Sequence, residues 1–325
     1  QFVPEMALTT FDGQQWSDPS LVPSNSIALH PGAHVLHYAS TCFEGLKAFT
    51  HPDGSRHIFR MDQNIARLAQ SSRLLSLPEV DEAMLRKMIL DLVIRYKDEV
   101  PAPPGTLYLR PTHIGTEAAI GKAAAPSSQS MLYVLASPVG DYFAGGDATL
   151  RILIDEVGMR CAPHMGMVKS GGNYASALQM LNKARVEHKA DQVLFCPDGD
   201  VQETAAANFM LIEGNELVTK ALDSTFLHGV TRASVLTLAA EMGLTVSERN
   251  LSVAELIERS AQPGAEAALS GTAAVLTPVG NLIHQGKDYT LGTGKPGPIT
   301  IKLRKALNDI QFGMAEDRFD WLTPV

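Results

Sequence analysis

Short apolar strands closed by tight turns, rather than repeated strand–helix–strand units, set the strongest limit on how this chain can fold. His51-Pro52-Asp53-Gly54 is a turn signal between two runs, 42–49 and 57–60, that read as a hairpin. Pro197-Asp198-Gly199-Asp200 follows a strand over 192–196 and turns the chain into a returning strand from Val201 onward. Glu213-Gly214-Asn215 joins 209–212 to 216–219 in the same way. Further strands are expected over 26–30, 107–114, 131–136, 149–155, 267–270 and 275–279. Helical spacing covers 61–76, with Ile65, Leu68 and Leu75 near one face, and 81–100, with a stripe of Met84, Met88, Ile89, Leu92 and Val93. It returns over 174–186, with Leu178 and Leu181 turned inward, and over 231–242 and 298–314. Gly243 takes the position that ends a helix, and Ser252 to Glu255 has the pattern of a capping box. Strands outnumber strand–helix–strand units, so the expected class is α+β, with largely antiparallel sheets rather than a doubly wound fold.

A chain of 325 residues can form two domains or one large one. Proline and glycine are dense over 137–146, which is either a passive connector or a lid over a site. The expected division is a smaller domain over 1–135, a connecting loop over 136–149 and a larger domain over 150–325 that carries Lys169. The chain carries 27 basic and 35 acidic residues, a formal charge of −8, and no dense basic run, which argues against nucleic acid as a partner. Cys42, Cys161 and Cys196 are far apart and make neither a C-x-x-C nor a zinc-type spacing. No metal is expected, and reduced thiols point to the cytoplasm. No apolar run is long enough to span a membrane. The N-terminus has no secretory signal pattern, and the absence of an initiator Met suggests trimming.

The chemistry centres on residues 165–182, MGMVKSGGNYASALQMLN. Lys169 ends a short apolar run, and Gly171-Gly172 lets the backbone turn before a helix begins. A lysine there is either a surface residue or an amine aimed into a pocket, where it could form a Schiff base with a carbonyl compound. Three places could hold a phosphate. Gly229-Val230-Thr231 opens a helix, Ser270-Gly271-Thr272 ends a strand, and Arg60 ends the first hairpin. Each is weak alone; together with Lys169 they suggest a phosphorylated aldehyde cofactor. Such a cofactor needs a carboxylate for its ring nitrogen, and Glu203 is a candidate. The nucleotide-binding glycine motifs are absent.

Eight segments then fall in order: HVLHYASTCFEGLKAF (34–49), IFR (58–60), LYLRPTHIGTEAAIG (107–121), SPVGDYF (137–143), VKSGGNY (168–174), VQETAAANFM (201–210), LHGVTR (227–232) and SGTAAVLTPV (270–279). With them the chain resembles the fold-type IV pyridoxal-phosphate enzymes, and among these the branched-chain amino-acid aminotransferases, from about Ser26 to the C-terminus. The resemblance implies a two-domain, D-amino-acid aminotransferase-like fold with pyridoxal 5′-phosphate between the domains. It implies ping-pong amino transfer between L-leucine, L-isoleucine or L-valine and 2-oxoglutarate. The wider alternative is another member of the same class, acting on D-amino acids or (R)-amines or as aminodeoxychorismate lyase. Lys169 would be the catalytic lysine, Glu203 the partner of the ring nitrogen and Tyr174 that of the phenolic oxygen. Arg60, Val230, Thr231 and Thr272 would hold the phosphate. Thr272 and Ala273 would receive the substrate α-carboxylate, and Phe43 would line the side-chain pocket. Arg110 and Tyr142 would accept the distal carboxylate of glutamate. Tyr38 would reach the site from a neighbouring subunit, which implies a homodimer. One departure is Thr204-Ala205-Ala206-Ala207, where the family has a Gly-rich stretch.

Overall fold

The computed structural model describes residues 1–140, 148–273 and 275–325. In chain order the elements are β1 (Glu5–Phe11), β2 (Ser20–Pro23), α1 (His34–Tyr38), β3 (Thr41–Phe43), β4 (Leu46–Thr50), β5 (Arg56–Phe59), α2 (Met61–Leu74), α3 (Glu82–Arg95), β6 (Thr106–Gly115) and β7 (Ser130–Val139). There follow β8 (Leu150–Asp155), α4 (Gly171–His188), β9 (Gln192–Phe195), β10 (Asn208–Glu213), β11 (Glu216–Thr219), α5 (Val230–Glu241), β12 (Thr245–Glu248) and α6 (Val253–Ser260). The last are β13 (Glu266–Gly271), β14 (Val275–His284), β15 (Lys287–Thr290), α7 (Pro298–Gln311) and β16 (Leu322–Pro324). They fall into two compact units. The first comprises Gln1–Asp141, Val168–Gly172 and Ile310–Val325; the second comprises Tyr142–Met167 and Asn173–Asp309.

In the first unit the strand order is β16-β5-β4-β6-β7-β1-β2, with β3 also on β6, and every described pairing is antiparallel. The inward positions of β4, β6 and β7 (Leu46, Ala48, Leu107, Leu109, Leu132, Val134) meet Met61, Ile65 and Leu68 of α2 and Leu85, Met88, Ile89, Leu92 and Val93 of α3. That interdigitation follows from period-2 strands facing period-3.6 helices. Asp81 caps α3, accepting from the N–H groups of Ala83 (2.9 Å) and Met84 (3.0 Å), a contribution of about 1 kcal/mol. In the second unit the order is β12-β11-β10-β13-β14-β8-β9, with β15 on β14. The pairings β10–β11, β10–β13, β13–β14 and β14–β15 are antiparallel, while β11–β12, β14–β8 and β8–β9 are parallel. The α+β class with antiparallel-dominated sheets therefore holds.

Some local expectations do not. Residues 26–30 form no strand: Ser26 N–H (3.0 Å) and Oγ–H (2.7 Å) both donate to the Pro23 carbonyl and close a turn. The extended partner of β1 is instead β2. The helix expected over 81–100 ends at Arg95, and Lys97–Glu99 is a single 3-10 turn. Leu178 of α4 is 62% exposed, because the helix rests on the small stripe Asn173, Ala177 and Ala184; Leu181 packs at the edge of that cluster. Ser252 Oγ does cap α6 at 3.1 Å, but the Glu255 carboxylate pairs with Arg249 and Arg259 rather than completing the box.

His113 of β6 is wholly buried, with Nδ1 2.9 Å from Ser72 Oγ and no partner for Nε2 among the described residues. Burial pushes its pKa down to about 4. The folded state therefore refuses a proton that the unfolded chain takes up below its ordinary value of 6.5. The sign follows: stability is lost as pH falls from that value towards the folded pKa, by about 3 kcal/mol in full. His113→Gln is expected to flatten this dependence, read as urea unfolding midpoints at neutral and mildly acidic pH. An unchanged pH slope would contradict the assignment.

Candidate active site

Lys169 lies in the first unit, where its backbone is held from two sides. Its carbonyl accepts from Phe43 N–H at 3.0 Å, and its N–H donates to Ser71 Oγ of α2 at 3.2 Å. The next residue, Ser170, forms a β-bridge with Cys42. These contacts fix the start of the lysine side chain, and its Nζ stands 5.3 Å from the centroid of the Phe43 ring. The Arg110 guanidinium lies over the same ring at 4.6 Å, and its Nη2 donates to Tyr108 Oη at 2.9 Å. Arg110 Nε is buried and has no partner among the described residues. One aromatic ring thus carries two cations, each attracted by its π face. Gly45, two residues after Phe43, leaves room for Tyr108: a Cβ there would come 2.1 Å from Tyr108 Oη and force that side chain to move.

Arg60 is also in this unit. It adopts a left-handed conformation (φ 48°) at the start of α2, and its guanidinium sits over Trp321, 5.2 Å from the ring centroid. Burial lowers its pKa from the ordinary arginine value. Tyr38 closes α1, and its hydroxyl donates to the Ile120 carbonyl.

In the second unit, the chain leaving β9 turns at Pro197–Gly199 and runs back beside it. Phe195 N–H donates to the Glu203 carbonyl (3.0 Å), and Gln202 N–H to the Phe195 carbonyl (3.1 Å). This return, held by isolated bridges rather than a regular ladder, carries Glu203 into the interior, where it is 2% exposed. Its carboxylate accepts from Arg160 Nη1 at 2.9 Å, Leu227 N–H at 2.8 Å and Asn208 Nδ2 at 3.2 Å. Asn208 Nδ2 also donates to the Leu227 carbonyl at 2.8 Å. Gly229 leaves room for this amide, because a Cβ there would come 2.1 Å from Asn208 Oδ1. Arg160 is equally buried, with its Cζ 5.4 Å from the centroid of the Tyr174 ring and its Nε donating to the Ala205 carbonyl at 3.3 Å. Burial opposes its charge, but Glu203 and Tyr174 outweigh that, and its pKa is raised.

Gly229 is the N-cap of α5, so Val230 and Thr231 form its first turn, and no side chain among the described residues caps that end. Unfilled N–H groups at a helix start favour an anion. Thr272 and Ala273 follow β13, whose buried Ser270 Oγ has no partner among the described residues. The 204–207 departure is a tight turn closed by Thr204, whose N–H (2.9 Å) and Oγ1–H (3.0 Å) donate to the Ala207 carbonyl. The Ala206 carbonyl lies 3.7 Å from where a Gly271 Cβ would stand, so this turn flanks the Ser270–Thr272 strand end.

The structure thus groups Lys169, Phe43 and Arg110 in one unit, and links Glu203 to Tyr174 through Arg160 in the other. Tyr142 lies outside the described residues. Sequence reading missed Arg160 and Asn208, two side chains that donate to Glu203. Arg160 stands in an irregular segment without periodicity, and Asn208 stands in the VQETAAANFM segment just before the strand expected over 209–212, with nothing local to mark it as a donor to Glu203.

A model of the family described as amino-transferase class IV matches residues 41–282. A probable branched-chain-amino-acid aminotransferase of Streptomyces coelicolor is 39% identical over 320 residues, covering 96% of this chain and 87% of the relative. Branched-chain-amino-acid transaminase 1 of Bacillus subtilis is 38% identical, covering 97% and 89%. The crystal structure of the branched-chain amino acid aminotransferase from Thermobaculum terrenum in its PLP form superposes with a TM-score of 0.81, over 99% of this chain and 98% of that one. At 23% identity, that likeness shows a common fold. The chain belongs to the class IV aminotransferases.

Proposed function

We propose that this protein is a pyridoxal-phosphate-dependent transaminase that moves the amino group reversibly between L-leucine, L-isoleucine or L-valine and 2-oxoglutarate. The observation that carries the substrate reading is the Phe43 ring, which has Lys169 Nζ at 5.3 Å and Arg110 at 4.6 Å. Next to the candidate amine there is an apolar wall for an aliphatic side chain and a guanidinium for the distal carboxylate of glutamate. A carboxylate taken from water without a partner costs several kcal/mol, so a site serving both substrates needs such a cation. The names of the full-length relatives agree with this reading.

The residues present suit the cofactor. For its phosphate, one unit offers the uncapped start of α5 at Val230 and Thr231 and the Ser270 hydroxyl beside Thr272, and the other offers the Arg60 guanidinium. Its ring nitrogen requires a carboxylate, and Glu203 is held by Arg160, the Leu227 N–H and Asn208. The bound cofactor supplies an aldehyde that takes up the amino group and a ring that draws electrons from the substrate Cα. Lys169 Nζ moves the proton at that Cα, acting as base and then as acid. Thr272 and Ala273 orient the α-carboxylate, Tyr174 hydrogen-bonds the phenolic oxygen of the cofactor, and Arg110 with Tyr142 holds the distal carboxylate. One site used alternately by two substrates gives ping-pong kinetics.

The active unit is a homodimer in which Tyr38 serves the neighbouring subunit's site. Leu36 and Ile120, 58% and 63% exposed, flank the Tyr38 turn, as a face awaiting cover would. We place it in the cytoplasm, where the three free thiols of Cys42, Cys161 and Cys196 would stay reduced. Glutamate formation from 2-oxoglutarate, assayed with L-leucine and with D-alanine, tests the substrate reading. L-Leucine is expected to exceed D-alanine on the order of 100-fold in kcat/KM. A preference for D-alanine would overturn it.

A further inference from the structure

Phe43, Glu44 and Gly45 point three ways from one turn. Phe43 lies by Lys169, Gly45 backs onto Tyr108, and Glu44 turns into the interior, where it is 1% exposed. Its carboxylate is gripped side-on by Arg67, with Nε to Oε1 at 2.6 Å and Nη2 to Oε2 at 2.8 Å. Asn64 Nδ2 (2.8 Å) and Gly45 N–H (3.2 Å) also donate to Oε2. Asn64, Arg67 and Ser71 recur at intervals of three and four, so they occupy one face of α2. That single face holds the Glu44 carboxylate and, through Ser71 Oγ, the backbone N–H of Lys169.

We propose that Glu44, paired with Arg67, is a positioning residue for Lys169: the pair fixes the turn that keeps Phe43 beside the Lys169 amine and sets the local charge to zero. The proposal rests on the reading of Lys169 as the reactive amine. Charged or titratable groups near the lysine among the described residues of this unit include Arg110, on the far contact of Phe43, with Tyr108 bonded to it, and Cys42, whose thiol burial pushes up to about 12 and so keeps neutral. Glu44 stays ionised: burial works against its charge, but Arg67, Lys169 and Asn64 outweigh burial and lower its pKa. An isolated buried charge on either partner would therefore act on the amine with opposite sign.

The test uses the full chain stripped of cofactor, with the rate of pyridoxal phosphate uptake followed over roughly pH 6 to 10. Uptake requires the unprotonated amine. Glu44→Gln leaves the Arg67 cation and is expected to move the pH midpoint down by about one unit, a tenfold change in proton affinity. Arg67→Gln leaves the Glu44 anion and is expected to move it up by a similar amount. The double variant Glu44→Gln/Arg67→Gln and the charge-keeping Arg67→Lys are expected to stay within about 0.3 of the wild type. Shifts of equal sign in the two single variants, or none, would overturn the proposal, because loosened packing has no reason to reverse sign. Should a single variant not fold, the two neutral-pair variants decide: a midpoint displaced by more than about 0.3 in either overturns it. Lys169→Ala separates the two levels. If that variant takes up cofactor with the wild-type profile, the lysine reading itself has failed.

Discussion

Lys169→Ala is expected to lower turnover with L-leucine on the order of 10,000-fold or more while leaving the fold intact. Two losses combine. The substrate Cα loses the base that takes its proton, a contribution typically of 100-fold to 10,000-fold, and the cofactor loses its covalent anchor. The fold is expected to survive, since the backbone bonds of residue 169 to Phe43 and Ser71 remain; the cation–π contact with Phe43 that is lost is worth about 0.5–1 kcal/mol. Steady-state rates beside a thermal melt check both halves. A variant that keeps more than about one tenth of the wild-type rate would remove Lys169 from the chemistry.

Glu203→Gln is expected to reduce both stability and turnover, for separable reasons. The substitution keeps the shape but leaves Arg160, 2% exposed, without its counter-charge. Breaking a buried pair from one side costs roughly 3–5 kcal/mol, whereas replacing both partners is often neutral. Glu203→Gln/Arg160→Met is therefore expected to regain most of the lost stability in urea unfolding. It is not expected to regain activity. With no carboxylate for the ring nitrogen, turnover stays lower on the order of 100-fold or more. A double variant that recovers both would make the pair purely structural.

What could be read from the sequence was local. The hairpins around Pro52-Asp53-Gly54 and Gly214 came from turn chemistry, and the buried stripe of α3 from helical spacing, because both depend on neighbours a few residues away. Lys169 and Glu203 stood out by residue type beside glycines and a turn. What makes each more than a residue type is distant in sequence. Arg160 comes to Glu203 across an irregular segment, and Leu227 N–H reaches it from the approach to α5. Arg67 meets Glu44 only because α2 folds back on the β3–β4 turn. The failures at 26–30 and Leu178 have the same origin: an apolar pattern says that a side chain can be buried, not that a partner strand or an open seat exists for it.

Borohydride reduction of the cofactor-loaded protein, followed by peptide mass mapping, tests most directly whether Lys169 carries the chemistry. The expected result is a single phosphopyridoxyl adduct on the peptide containing Lys169, absent when L-leucine is added before reduction and restored by subsequent 2-oxoglutarate. An adduct on any other lysine, or one indifferent to L-leucine, would contradict it.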